Sequence, residues 1–345
     1  MHYRRLGRTG LQVSPLCLGA MMFGEWGNPD HDDSVRIIHA ALDAGINFID
    51  TADVYSAGES EEIVGKAIAG RRDEVVLATK FYAPMGEGPN QGGASRHWIM
   101  REVEHSLRRL GTDHIDLYQV HRPDPNIDVD ETLAALSDLV HQGKVRYLGS
   151  STFPASEIVE AQWVAERRHR ERFVCEQPPY SMLVRGIEAD VLPTCQRHGM
   201  GVIPWSPLAG GWLSGKRRVD GDDPSSHRAA RTPARYDLSI PGNREKLEAA
   251  DALGRLADDA GLSLVHMAVA WVVNNPAVTA AIIGPRTMEQ LTSQLGAADV
   301  RLTDEVLDRI DEIVPPGTNF SWNDAGWTPP MVGDARQRRR PTRTS

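Results

Sequence analysis

Gly45-Ile46-Asn47-Phe48-Ile49-Asp50-Thr51-Ala52-Asp53-Val54-Tyr55 is the stretch on which the reading of this chain turns. Ile46 to Asp50 is a short apolar run ending in a carboxylate, and the next five residues carry a tyrosine out on a loop. The arrangement recurs. Val75-Val76-Leu77-Ala78-Thr79-Lys80 ends in an amine, and Ile115-Asp116-Leu117-Tyr118-Gln119-Val120-His121 ends in an imidazole. Short runs rich in β-branched and aromatic residues read as strands, and here each delivers one polar group at its C-terminal end. In a (β/α)8 barrel all such ends converge on one rim, where that fold carries its chemistry. Asp50, Tyr55, Lys80 and His121 are therefore expected to meet.

The flanking sequence extends the pattern. Strand-like runs alternate with amphipathic helical stretches, the signature of βα units around a parallel sheet. Barrel strands are expected at Leu16 to Met22, from Ile46, Val75 and Ile115, and at Val145 to Ser150, Phe173 to Glu176, Gly201 to Pro204 and Ala280 to Ile283. Helices are expected at Asp32 to Ala44, Ser60 to Ala69, Ser95 to Leu110, Asp130 to Gln142, Ala155 to Arg167, Glu188 to Arg197, Arg244 to Ala260 and Thr287 to Gly296. Ser263 to Asn274 and Thr303 to Ile313 read as extra helices outside the repeat. Tyr3 to Leu6 and Leu11 to Val13, joined through Gly7-Arg8-Thr9-Gly10, read as a hairpin ahead of the barrel. The chain has 345 residues, 41% of them hydrophobic, enough for one barrel of roughly 250 residues plus insertions. Residues 1–314 are read as that barrel, and 315–345 as a C-terminal substrate-side loop with a basic tail.

Composition narrows the function classes. A formal net charge of −9 argues against a general nucleic-acid binder, which gathers positive charge over a large face. The one basic concentration, Arg336-Gln337-Arg338-Arg339-Arg340, lies beside Pro341 in an apolar-poor segment and reads as a solvated tail. No uncharged apolar run reaches the roughly 18 residues needed to span a bilayer. Met1-His2-Tyr3-Arg4-Arg5 lacks the apolar stretch of a signal peptide, so a cytoplasmic location without membrane attachment is expected. Cys17, Cys175 and Cys195 show neither CxxC nor metal-ligand spacing, so reduced buried thiols and no metal are expected.

The four polar residues suggest carbonyl chemistry. A tyrosine with a pKa of about 10 is a poor acid at neutral pH and needs a neighbouring cation that favours its ionised form. Lys80 can be that cation, and Asp50 can hold and aim the ammonium by a charge-assisted hydrogen bond. His121 can orient a substrate oxygen. Tyr55 then donates a proton to the alkoxide that develops as a hydride reaches the carbonyl carbon, which is general acid catalysis. Singly, each residue reads more simply: Lys80 and Asp50 as solvated charges, His121 as the start of a loop, Tyr55 as packing. Their order and placement together favour the catalytic reading.

Four motifs also carry a resemblance. Gly45 to Tyr55 is followed by Gly58-Glu59-Ser60-Glu61, by Leu107-Arg108-Arg109-Leu110-Gly111-Thr112-Asp113-His114-Ile115-Asp116-Leu117-Tyr118, and by Ile282-Ile283-Gly284-Pro285-Arg286-Thr287. With these motifs in this order, the chain resembles the aldo-keto reductases over Tyr3 to Val314. Within that family it is similar to bacterial oxidoreductases that resemble potassium-channel β subunits. The resemblance implies a nicotinamide cofactor, with no GxGxxG or Walker loop to hold it. It places the nicotinamide amide against Ser151, Thr152 and Gln177. Thr152 stands where the family usually has asparagine, and a hydroxyl can still donate and accept. Trp205 stands where the family stacks an aromatic ring on the nicotinamide, its plainer reading being core packing.

Ser206-Pro207-Leu208-Ala209-Gly210-Gly211-Trp212-Leu213-Ser214-Gly215-Lys216 could lie over the pyrophosphate, its glycines permitting close approach and Lys216 adding charge. Gly284-Pro285-Arg286-Thr287 leads into a helix whose N-terminus favours anions. Arg286 can fork onto a 2′-phosphate, which favours NADPH over NADH. Gln290 and Gln294 share a helix face and resemble the family's adenosine contacts, although Ser293-Gln294 stands where Glu-Asn is frequent.

Met22, Trp26, Tyr82, Trp98, Trp212, Phe320, Trp322 and Trp327 fall near the expected rim. Trp26, Tyr82, Trp98 and Trp322 are the candidates for an aromatic substrate pocket. Arg217 to Pro241 reads as a long loop, either an exposed insertion or a flap over the cofactor. The leading function is broad-substrate NADPH-dependent reduction of aldehydes or ketones. The alternatives are reduction of nucleotide-linked keto-deoxysugars and a cofactor-sensing module like the channel β subunits. The oligomeric state is not legible.

Overall fold

The computed structural model describes residues 1–219 and 232–339. An antiparallel hairpin of β1 (Arg4–Arg5) and β2 (Gln12–Val13) precedes eight strands: β3 (Leu16–Gly19), β4 (Phe48–Asp50), β5 (Val76–Phe81), β6 (Ile115–Val120), β7 (Val145–Ser151), β8 (Phe173–Gln177), β9 (Gly201–Val202) and β10 (Ala281–Ile283). Their order is β10-β3-β4-β5-β6-β7-β8-β9, every pair parallel. The two ends meet through Thr279 N donating to Val202 O at 2.8 Å, Ile282 N donating to Pro204 O at 2.9 Å, and a parallel bridge between Trp205 and Ile282. The ring is the (β/α)8 barrel that the sequence predicts.

Local chemistry sets the element limits. Helices begin where a side chain can accept a free first-turn N–H. Asp30 caps His31–Asp43, Ser95 caps Arg96–Leu110, Asp128 caps Val129–His141 and Ser263 caps Leu264–Asn274. The helix expected from Glu188 instead runs Val191–His198, because Gly186–Glu188 forms a 3-10 turn and Asp190 accepts from Val191 N. Strand β9 stops at Val202 short of Pro204, which has no N–H to continue a ladder. β3 ends at Gly19 because the chain turns, Phe23 N bonding back to Ala20 O at 3.0 Å. Pro241 opens the helix Pro241–Asp259, three residues before the expected start. Of the long loop, residues 220–231 lie outside the described residues, as do 340–345 of the basic tail.

Alternation along each strand divides the core in two. Cys17, Phe48, Val76, Ala78, Leu117, Cys175, Ile203 and Ile282 point into the barrel, where Leu6 and Val13 of the hairpin join them from below. Leu16, Leu18, Ile49, Leu77, Tyr118 and Leu148 point outward to the helix layer. The hairpin seats tightly. Gly7 has φ +57°, and a Cβ there would lie 2.5 Å from Gly201 N, so only glycine fits. All three cysteines are buried free thiols whose pKa burial raises. Among the described residues no single helix is long and apolar enough to cross a membrane.

The interior layer predicts a cost. Leu117→Ala should lower unfolding stability by about 2–5 kcal/mol, read from denaturant midpoints. A loss below about 1 kcal/mol would show that the barrel interior relaxes around the lost side chain.

Candidate active site

The inward alternation that fills the barrel also builds its rim. Two residues above Phe48 stands Asp50, above Ala78 Lys80, above Leu117 Gln119 and above Cys175 Gln177, each on the same face as the apolar residue below it. Lys80 is fully buried and Asp50 nearly so. Lys80 Nζ donates to Asp50 Oδ1 at 2.6 Å, to Thr51 O at 2.8 Å and to Tyr55 Oη at 3.4 Å. The other Asp50 oxygen accepts from Gln177 Nε2 at 2.8 Å and Gln119 Nε2 at 3.2 Å. His121 meets Tyr55 edge to face, ring centroids 5.8 Å apart. The four residues singled out from sequence thus converge, with Lys80 at the centre.

The Tyr55 loop is held in an unfavourable shape. Ser56 (φ 49°), Ala57 (φ 57°) and Gly58 (φ 100°) are successive left-handed residues, costing of order 1–2 kcal/mol for each of the two with a Cβ. Such geometry persists only where its surroundings enforce it. Ser56 Oγ accepts from Trp26 N at 3.0 Å. Gly58 rests on Arg109, whose Cδ lies 2.7 Å from where a Cβ would stand. Arg109 is fixed by Glu61 at 2.6 Å and Glu102 at 2.5 Å.

Burial sets the protonation states. It raises the Tyr55 pKa, and the opposing pull of Lys80 is smaller. The free site therefore holds a protonated phenol, where the sequence alone suggested that Lys80 would dominate. For Lys80 burial acts downward, but Asp50 and then Tyr55 outweigh it and the pKa is raised, so the amine stays an ammonium. His121 is held well below the usual imidazole range by burial, Lys80 and Arg122, and is neutral.

The residues assigned to a cofactor lie at the ends of β7 to β10. Ser151 Oγ donates to Gln177 O at 2.9 Å. Thr152 has φ 61°, an outlier for a β-branched side chain and one that asparagine tolerates better. The Gln177 amide nitrogen is engaged by Asp50 and by Gln119 Oε1, which leaves its oxygen for a ligand. Trp205 is partly exposed, beside Ser206 (φ 59°). Gly326 of the C-terminal segment lies against its ring, since a Cβ there would be 2.7 Å from Trp205 Cζ2 and 3.2 Å from Thr152 Cγ2. Pro207 is buried and Leu208 partly so; Gly210 (φ 71°) accepts from Tyr236 Oη at 2.7 Å, and Lys216 is exposed. At Gly284 a Cβ would meet nothing within 4 Å, so the backbone is open to close approach. Arg286 is partly exposed; its backbone N–H donates to Gln290 Oε1 at 2.8 Å, and Gln294 folds back onto Gln290 O at 2.8 Å.

The aromatic candidates separate. Trp26 lies 6.0 Å from Tyr55, centroid to centroid, and Tyr82 is half-buried beside the mouth. Trp98 does not face the rim. With Ser95 as cap, position 98 falls on the buried stripe of its helix with Ile99, Glu102 and Val103, and its ring packs against His105. Trp322 is 57% exposed, turned outward because Asp324, two residues on, is anchored to Lys246 at 2.6 Å. Trp212 is buried and stacks on Tyr236, with the Arg217 guanidinium over both rings. Sequence reasoning missed Gln119 as a partner of Asp50, although it stands two residues before His121 on the same face. It also passed over Arg122.

The profile of the Aldo/keto reductase family matches residues 15–315. The chain belongs to this family. It is 44% identical over 330 residues to an uncharacterized oxidoreductase, YrpG, of Bacillus subtilis (strain 168), covering 92% of this chain and 97% of that one. It is 37% identical over 321 residues to a probable voltage-gated potassium channel subunit beta of Oryza sativa subsp. japonica, covering 91% and 97%. It is 37% identical over 300 residues to the aldo-keto reductase YhdN of Bacillus subtilis (strain 168), covering 84% and 87%. As an aldo/keto reductase the protein is an oxidoreductase of carbonyl compounds that works with a nicotinamide cofactor.

The neutral His121 of this aldo/keto reductase has a measurable signature. The unfolded chain takes up a proton on this residue near pH 6.5 while the folded one resists it. Its share of stability is therefore complete above about pH 6.5 and is lost as the pH falls below that value, by at most about 1.4 kcal/mol per pH unit. His121→Asn should flatten the stability profile between roughly pH 6.5 and 5. Parallel wild-type and variant profiles would mean that the folded state protonates His121 as readily as the unfolded one.

Proposed function

We propose that this aldo/keto reductase reduces aldehyde or ketone carbonyls to alcohols with NADPH, Tyr55 giving the proton. The observation that carries this reading is the buried Lys80 ammonium, bonded at once to Asp50 and to the Tyr55 phenol. Bound NADPH supplies the hydride. Tyr55, protonated at neutral pH because burial raises its pKa, gives its proton to the carbonyl oxygen as negative charge grows there. Lys80 stabilises the phenolate left behind, and Asp50 keeps Lys80 charged and aimed. Neutral His121 donates or accepts one hydrogen bond and orients the substrate oxygen without competing as an acid. Trp26 beside Tyr55 supplies an apolar wall for the substrate.

The residues present fit the cofactor. Trp205 offers a partly exposed ring beside the polar atoms of Ser151, Thr152 and Gln177, and the backbone at Gly284 is open. The choice of NADPH rests on Arg286. Its guanidinium makes no ion pair among the described residues and stands just before the N-terminus of the helix Met288–Leu295, suited to a phosphate.

Two variants test the reading. Tyr55→Phe should cut carbonyl reduction by about 10²–10⁴-fold while NADPH affinity, measured by fluorescence titration, changes little; a variant with near wild-type rate would remove Tyr55 from the mechanism. Arg286→Ala should weaken NADPH binding by roughly tenfold or more and leave NADH binding almost unaltered. Equal losses for the two cofactors would show that Arg286 does not read the 2′-phosphate.

A further inference from the structure

The mouth of the site carries two guanidinium groups, Arg122 and Arg235, that make no ion pair among the described residues. Arg122 directly follows His121 at the end of β6, and among the described residues its one hydrogen bond runs from a terminal nitrogen to the His121 carbonyl at 2.5 Å. A guanidinium has five N–H donors in a fixed fork, so most remain available. Tyr55, Tyr82, Glu176 and Arg235 surround it within electrostatic reach. Arg235 lines the small cavity beside Trp205 and Ser206, and among the described residues its side chain donates to Asn323 O at 3.3 Å.

None of the carboxylates around this mouth forms an ion pair with Arg122 or Arg235, and each has other hydrogen-bond partners. Asp50 is held by Lys80, and Asp324 by Lys246. Asp124 accepts from the backbone N–H groups of Ala94 and Asn126. Glu176 is buried, with its oxygens taken by Ser150 Oγ at 2.5 Å and Phe153 N at 3.1 Å. Lys80 and Asp50 cancel, Tyr55 and His121 are neutral, and burial raises the Glu176 carboxyl to about 7, so Glu176 offsets Arg122 only in part and the guanidinium charge of the mouth exceeds the carboxylate charge facing it.

A partly buried cation with no ion pair and most of its donors unused is costly, and an anion brought beside it relieves that cost. We infer that the substrate of this site carries a carboxylate a few bonds from its carbonyl, gripped by Arg122 with Arg235 across the mouth. The cofactor's phosphates do not account for Arg122, because the residues assigned to the cofactor follow β7 to β10, whereas Arg122 follows β6 beside the proton donor. This inference rests on the proposed reductase reading. Arg122 is its specificity-determining residue, and a site built to pair with a polar group discriminates against an analogue lacking it.

The experiment uses two aldehydes of one shape, 4-formylbenzoate and 4-formylbenzamide, in steady-state reduction by wild type, Arg122→Gln and Arg122→Lys. In parallel, binding of benzoate and benzamide to the NADP+-loaded proteins is measured by calorimetry. Wild type should favour the carboxylate by about tenfold or more in kcat/KM, chiefly through KM. Arg122→Gln should bring that ratio close to one, and Arg122→Lys should keep part of it. A wild-type ratio near one, or a preference that survives Arg122→Gln, overturns the inference while turnover of both aldehydes leaves the reductase reading standing. If neither aldehyde is reduced, the reductase reading falls and calorimetry decides the anion site. Benzoate bound about tenfold more tightly than benzamide, with the difference lost in Arg122→Gln, upholds it; equal binding overturns it.

Discussion

The ion pair between Lys80 and Asp50 is the constraint around which the site is arranged. Its two members come from adjacent parallel strands and lie almost wholly out of water. Removing one partner of such a pair leaves an uncompensated buried charge at a cost of about 3–5 kcal/mol. Everything at the rim refers to it. Gln119 of β6 and Gln177 of β8 both terminate on Asp50, and the Thr51 carbonyl and the Tyr55 phenol both terminate on Lys80. One interaction thereby fixes four strand ends and a loop relative to one another, and keeps Lys80 an ammonium against the effect of its burial.

The Tyr55 loop shows how the rest of the fold serves that point. Its left-handed residues are unfavourable alone, and the structure answers from outside the barrel, with Arg109 clamped between the buried Glu61 and Glu102. The helices therefore do more than cover the sheet, since two of them supply the groups that hold the Tyr55 loop in place.

Much of this was legible in the sequence because period-two alternation decides two things together. In Val76-Leu77-Ala78-Thr79-Lys80 the same step that sends Val76 and Ala78 inside also sends Lys80 inside, so a strand predicted correctly predicts its polar end. The same logic yields Asp50 and His121, and it could have yielded Gln119. What alternation cannot reveal is the environment of a group. The dominance of burial over Lys80 at Tyr55, the left-handed backbone of Thr152 and the lack of an ion pair at Arg122 among the described residues depend on neighbours far away in sequence. Trp98 misled for a local reason: a cap at Ser95 set the helical phase, and the phase turned the ring into the core.

The separation of layers along each strand also bears on how such a protein can change. The apolar residues that hold the barrel together lie below the rim, and the backbone ladders do not involve the inward side chains at all. A buried pair replaced on both sides by apolar groups of similar volume is often neutral for stability. Replacing Lys80 and Asp50 together would therefore remove the charged pair behind Tyr55 and leave the barrel and the rim around Trp205 standing. On this architecture a catalyst and a folded, non-catalytic binding shell are close neighbours in sequence space, a short mutational path apart.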